Sequence, residues 1–211
     1  MEEKKFLIKR GFTDGHLREL IINKDFLKFE DKDTVNNPFT TFKSSEILDY
    51  RCGIRWIRFE LTFGREYQIF VRNNNRKTIK ISFKSYLGRK IKILNRLFDN
   101  IHYELWSSFF GKIVDENLEK FQSEIEFSVG DVLFNKNYIE LNVSGIASQK
   151  RVQILWANVR TTNYRTYFTV YSAETPEKIN RGYSYHEDWN TNVLYSTLRT
   201  ILLNKGIEKY D

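Results

Sequence analysis

The segment LIINKDFLKF at residues 20–29 returns 112 positions later as VLFNKNYIEL at residues 132–141. In each, an apolar run stops at a polar triplet, Asn23-Lys24-Asp25 or Asn135-Lys136-Asn137, and then resumes. Asn and Asp tolerate left-handed backbone, and their side chains hydrogen-bond the backbone two residues on. The triplet therefore reads as a tight turn between two antiparallel strands. The same offset carries Phe42 to Ile154, Glu46 to Asn158 and Ile47 to Val159, which predicts a third strand at one place in both halves. A repeat of this length predicts one folding plan carried out twice.

Downstream of the repeat, RWIRFELTF (55–63), EYQIFVR (66–72) and KTIKISF (77–83) read as strands, with a turn at Asn73-Asn74-Asn75. The second half offers YFTVYS (167–172) and GYSYHE (182–187). Each half then ends in helical periodicity. Leu94, Leu97, Phe98, Ile101 and Leu105 carry it over 88–108, and Leu194, Leu198, Ile201 and Leu202 over 191–204. Asp188, Asn190 and Thr191 are placed to satisfy the second helix's free N–H groups, and Gly206 suits its stop. Gly111 interrupts the pattern, after which KIVDENLEKF (112–121) predicts a further short helix. The expected organisation is a basic first domain at 1–110, a helical connector at 111–122 and a second domain at 123–211. Only two prolines and no Gly/Ser-rich stretch argue against a long flexible tether. The competing arrangement is a single larger α+β domain with one mixed sheet.

Antiparallel hairpins followed by one closing helix, repeated, resemble the plan of the pleckstrin-homology-like superfold. ILWANVRTTNY (154–164) also resembles the third-strand segment of bacterial pleckstrin-homology-like and GRAM-type domains, where an apolar-Trp-x-x-apolar pattern is common. The resemblance covers 5–108 and 122–206. It implies an α+β fold of two pleckstrin-homology-like domains, each a bent antiparallel sheet closed by a C-terminal helix. Phosphoinositide-binding members gather basic residues around the first strand–strand loop as Lys-x(n)-[Lys/Arg]-x-Arg. Here that turn is short, and Lys24 and Lys28 lack the following Lys-x-Arg, so inositol-lipid specificity is not implied.

Hydrophobic residues make up 41% and aromatics 16% of the chain, enough to build a core and to exclude a disordered polymer. No run approaches the roughly 20 apolar residues of a membrane span. The opening MEEKKFLIKR has no continuous apolar signal core, so the expectation is a soluble cytoplasmic protein. Cys52 is the single cysteine, which rules out an intrachain disulfide and suggests a small apolar filler.

Catalytic signatures are sparse. His16, His102 and His186 form no His-x-x-x-His or Cys/His pairing with metal spacing, and neither a phosphate-binding Gly-x-x-x-x-Gly-Lys-[Ser/Thr] loop nor a Gly-x-Ser-x-Gly elbow occurs. In RGYSYHEDWNTN (181–192), His186 adjoins Glu187 and Asp188, but Tyr183, Tyr185 and Trp189 read as packing around a helix start. The expectation is a non-enzymatic protein without metal or cofactor.

Charge is the informative asymmetry. Residues 1–110 hold 22 Lys and Arg against 14 Asp and Glu, while residues 111–211 hold 12 against 13. Arg72, Arg76, Lys77, Lys80, Lys84, Arg89 and Lys90, followed by Lys92, fall in a stretch with no acidic residue. Alternation in KTIKISF puts Ile79, Ile81 and Phe83 on the core side and leaves Lys80 and Lys84 in solvent. These seven are the candidate anion-binding residues; a solvated or charge-guarded edge strand would show the same pattern. Such a face fits a protein partner or an acidic surface, with nucleic acid as the alternative and peripheral contact with an anionic membrane also open. Tyr86 is the one aromatic of the stretch expected at the surface, which favours phosphate contact over base stacking.

Overall fold

The computed structural model describes residues 3–11, 14–34, 36–59, 62–144 and 149–208. Strands β1 (Lys4–Ile8), β2 (Arg18–Ile22), β3 (Phe26–Glu30) and β4 (Phe39–Lys43) pair in that order as a four-stranded antiparallel sheet. Strands β5 (Ile47–Phe59), β6 (Thr62–Asn73) and β7 (Thr78–Tyr86) form a separate three-stranded one. The same division recurs: β8 (Phe127–Val129), β9 (Val132–Phe134), β10 (Tyr138–Ser144) and β11 (Gln149–Leu155) make four strands. β12 (Val159–Asn163), β13 (Tyr167–Ser172) and β14 (Asn180–Ser184) make three. The chain divides into two compact units, residues 1–111 and 112–211, so the fold is α+β with antiparallel sheets in both.

The repeated triplets turn by the same hydrogen bonds. Asn23 Oδ1 accepts from the N–H groups of Asp25 (2.8 Å) and Phe26 (2.9 Å), and Asn135 Oδ1 accepts from Asn137 N–H (3.1 Å). Each four-stranded sheet leads into its three-stranded neighbour through one 3₁₀ turn, Ser44–Glu46 in the first unit and Trp156–Asn158 in the second. The first N–H of that turn donates back to the triplet, Ser44 to the Asp25 carbonyl at 2.8 Å and Trp156 to the Asn137 carbonyl at 3.3 Å. Hairpin turn and sheet corner are thus tied together twice, at the offset seen in the sequence.

In the first unit the inner face of β5–β7 presents Tyr50, Tyr67, Ile69, Val71, Ile79, Ile81 and Phe83, all buried. Helix α1 (Ile91–Leu105) covers it: the Tyr67 hydroxyl donates to Asn95 Oδ1 at 2.5 Å, and its ring lies 5.7 Å from Phe98. A π-helical turn, Trp106–Phe110, follows, and Phe110 stacks on Tyr50 with centroids 3.8 Å apart. Cys52 is buried in β5.

Three local expectations are corrected. The strand expected over 66–72 begins at Thr62 instead, so Gly64 lies within β6 opposite Tyr86. A Cβ there would stand 2.4 Å from the Ser85 carbonyl oxygen, so glycine marks a close strand approach, not a loop. The first helix begins at Ile91, not at 88, because Leu87, Gly88 and Lys90 take left-handed backbone. Gly111 does not break the helix: its φ is −58°, and α2 (Gly111–Gln122) starts there. Its N–H reaches the Trp106 carbonyl, and an added Cβ would meet that oxygen at 3.2 Å and the indole Nε1 at 3.5 Å.

In the second unit, α2 sends Phe121 edge-on against Trp156, and α3 (Thr191–Asn204) buries Val193, Leu194, Leu198, Ile201 and Leu202. Phe168 of β13 packs against Tyr183 and Tyr195. The last strand ends at Ser184, so Tyr185–Glu187 belong to the following turn. Asn190 precedes α3 in left-handed conformation (φ 59°) without capping it through its side chain. Thr191 Oγ1 instead donates to the Ser184 and Asp188 carbonyls, while Asp188 Oδ2 accepts from Ser184 N–H at 2.8 Å. The polar cluster closes a strand-to-helix turn.

One half-buried histidine is expected to give the first unit a pH dependence. His102 Nε2 lies 3.3 Å from the Tyr50 hydroxyl, and burial, only partly opposed by Asp99, pushes its pKa below 6.5. A histidine lowered on folding stabilises fully above its unfolded pKa, and that contribution is lost as pH falls through the folded value. Thermal melts between about pH 7.5 and pH 5 are expected to show a steeper acid-side loss for the wild type than for His102→Gln, since the amide cannot titrate. Parallel curves would remove His102 from the acid response.

Candidate anion-binding cleft

The stretch from β7 to α1 is held by unusual backbone. Leu87 (φ 50°), Gly88 (φ 73°) and Lys90 (φ 58°) all lie in the left-handed region, which costs a non-glycine residue about 1–2 kcal/mol. Hydrogen bonds hold the turn in place. Leu87 N–H donates to the Phe63 carbonyl (2.9 Å), Arg89 N–H to the Tyr86 carbonyl (3.0 Å), and the buried Ser85 hydroxyl to the Arg89 carbonyl (2.7 Å). The Arg89 and Lys90 side chains are exposed on this fixed turn.

Facing the turn is the chain just after β1. Lys9, Arg10, Gly11 and Asp14 line one side of a cleft of about 1000 Å³, and Lys84, Ser85, Tyr86, Leu87, Arg89, Lys90 and Leu94 line the other. Five cations therefore converge against one carboxylate. Asp14 is turned towards Arg18, whose Nε lies 3.7 Å from it. Arg10 is positioned by donating to the Asp31 carbonyl at 2.8 Å. Lys84 Nζ stands 3.8 Å from Glu66 Oε1. Burial pushes the Glu66 carboxyl up, but hydrogen bonds from Gln68 and Arg55 and the charge of Lys84 outweigh it and hold the group below its ordinary value. Among the described residues, no carboxylate is within ion-pairing distance of Lys9, Arg89 or Lys90.

The seven sequence candidates do not form one band. Lys84, Arg89 and Lys90 share the cleft. Arg76 and Lys77 sit at the β6–β7 turn, at the other end of β7, roughly 27 Å away at the rise of an extended strand. Arg72 is ion-paired, its Nε donating to Asp49 Oδ2 at 2.8 Å. Lys80 is exposed on the outer face, 5.6 Å from the Phe70 ring, with Arg51 over that ring at 4.5 Å. Cross-strand rows explain the division: Asp49–Arg72–Thr78, Arg51–Phe70–Lys80 and Arg55–Glu66–Lys84 each place compensating groups side by side.

Sequence reading missed Lys9 and Arg10, whose only signal is their charge; nothing local says that they face the β7–α1 turn. Two exposed aromatics outside the basic stretch also carried no sequence signal, and Tyr86, expected at the surface, is only partly there. Tyr86 is half-buried, whereas Trp56 and Phe63 are exposed. Among the described residues, no cluster of three or more His, Cys, Asp or Glu side chains is arranged to hold a metal ion, and no helix is long and apolar enough to cross a membrane. Compared with protein families, curated proteins and solved structures, the chain matches none.

Proposed function

We propose that the chain is a non-catalytic binding protein of two pleckstrin-homology-like units whose first unit holds an anionic partner in the cleft between β1 and the β7–α1 turn. The observation that carries this is the convergence of Lys9, Arg10, Lys84, Arg89 and Lys90 from segments far apart in sequence, three of them without a carboxylate partner among the described residues. Like charges brought together lower stability unless a counter-charge arrives, so their gathering on a hydrogen-bonded, strained turn favours a ligand over simple solvation. The cleft lining contains no histidine or cysteine, and its serine hydroxyl is already committed to the Arg89 carbonyl, which favours holding over bond-making. The pleckstrin-homology-like assignment is supported by two four-plus-three strand sets joined by equivalent 3₁₀ corners, with a helix on each core.

Heparin, a polyanion with neither bases nor acyl chains, tests the cleft. The wild type is expected to bind it at low salt and to weaken steeply as salt rises. Arg89→Glu/Lys90→Glu should cut affinity by about tenfold or more and flatten the salt dependence, with an unchanged melting temperature. Arg76→Glu/Lys77→Glu, at the other end of β7, should have a smaller effect. Equal losses from the two variants, or no retention of the wild type, would overturn the assignment.

A further inference from the structure

The β5–β6 hairpin extends past the helix that covers its inner face. Tyr67 meets Asn95 and Phe98 near the start of α1, and strand alternation places the next inner-face residues of β6 at Arg65 and Phe63. Two cross-strand rows lie there. Trp56 pairs with Arg65, which pairs with Ser85; Arg58 pairs with Phe63, whose carbonyl accepts the Leu87 N–H. Trp56 is 65% exposed, Phe63 57% and Leu87 53%. The Arg65 guanidinium lies 4.6 Å from the Trp56 ring centroid, so the indole is held in place without being buried. Ser85 and Leu87 also line the basic cleft, and the Trp56 backbone stands two strand spacings, about 10 Å, from that of Ser85.

We infer that this overhang is a stacking platform and that the anionic partner is single-stranded nucleic acid, its backbone in the cleft and unpaired bases on Trp56 and Phe63. The inference rests on the proposed anion-binding cleft and adds the bases to it. Every base has a π-face, so exposed aromatics beside a cationic groove give affinity for single strands of any sequence, while a duplex keeps its bases stacked and offers only phosphates. A membrane fits less well. Arg65 and Arg58 alternate with Trp56 and Phe63 in the same rows, so inserting the aromatics would carry two guanidinium groups towards hydrocarbon.

Binding of labelled oligothymidine and oligouridine is compared with an abasic strand, a duplex, heparin and phosphatidylserine vesicles, by anisotropy and tryptophan quenching. The wild type is expected to prefer the base-bearing strands over the abasic one. Trp56→Ala should weaken base-bearing strands roughly 5- to 100-fold, the worth of a base–aromatic stack, and leave heparin and the abasic strand unchanged. Trp56→Phe should recover much of that loss, and Arg89→Glu/Lys90→Glu should weaken every polyanion. Equal binding of abasic and base-bearing strands, or no effect of Trp56→Ala, would overturn the platform while leaving a heparin-binding cleft intact. Loss of all polyanion binding would overturn both. Vesicle binding that depends on Trp56, without oligonucleotide binding, would replace nucleic acid with a lipid surface.

Discussion

Trp156→Ala is expected to destabilise the second unit by about 3–5 kcal/mol, the range for deleting a buried aromatic. The ring is 4% exposed and stands in the 3₁₀ corner between β11 and β12. Phe121 meets it edge-on at 5.2 Å, Phe134 lies 6.1 Å away, and its Nε1–H donates to the Asn135 carbonyl at 2.9 Å. That carbonyl belongs to the repeated turn, so truncation opens a cavity and also loosens the hairpin from the corner. Trp156→Phe should restore most of the packing but not the hydrogen bond, costing about 1–2 kcal/mol. Urea unfolding followed by circular dichroism separates the two; equal losses for both variants would mean that the hydrogen bond, and not the ring, holds the corner.

Phe110→Ala should cost the first unit a similar amount, about 3–5 kcal/mol. Phe110 is fully buried, stacked on Tyr50, with Phe109 against it at 6.4 Å. Its position depends on the π turn, since an extra residue per turn rotates the succeeding side chains by about 100° relative to a regular helix. Phe109→Ala, at a less buried neighbouring site, should cost less. A larger loss from Phe109 than from Phe110 would refute the assigned register. Denaturant midpoints measured for both variants decide it.

The internal repeat was legible because Asn-Lys-Asp and Asn-Lys-Asn act locally: an Asn side chain makes its turn whatever the rest of the chain does. The corners were legible only as an offset, since Ser-Ser-Glu and Trp-Ala-Asn share a backbone path but not a packing role. β1 was not read because of its five residues only Ile8 is buried, so no period-2 pattern stands out; β8 is too short to show one. Gly111 was read as a break but lies in a helix, and Gly64 fell outside both strands read at 55–63 and 66–72 but lies within one, for a single physical reason. A missing side chain signals flexibility and close approach alike, and only the neighbouring strand or indole tells them apart. In the candidate site, the charge density of Lys84, Arg89 and Lys90 was visible, but pairing of Arg72 by Asp49 depends on strand register. Trp56 and Phe63 alternate like core residues, and only the length of α1 decides where the covered face stops.

Both cores are completed by helices made after the strands they cover. Tyr50 and Tyr67 emerge from the ribosome before Asn95, Phe98 and Phe110 do, and in the second unit Phe168 and Tyr183 precede Tyr195 and the buried face of α3. During translation each half therefore passes through a stage with a formed aromatic sheet face and nothing over it, the kind of surface that recruits chaperones or sticks to neighbouring chains. A ribosome that pauses before residue 110 has cleared the exit tunnel holds the first unit in that state; one that pauses after that point carries a first unit whose core can shut while the second is still being built.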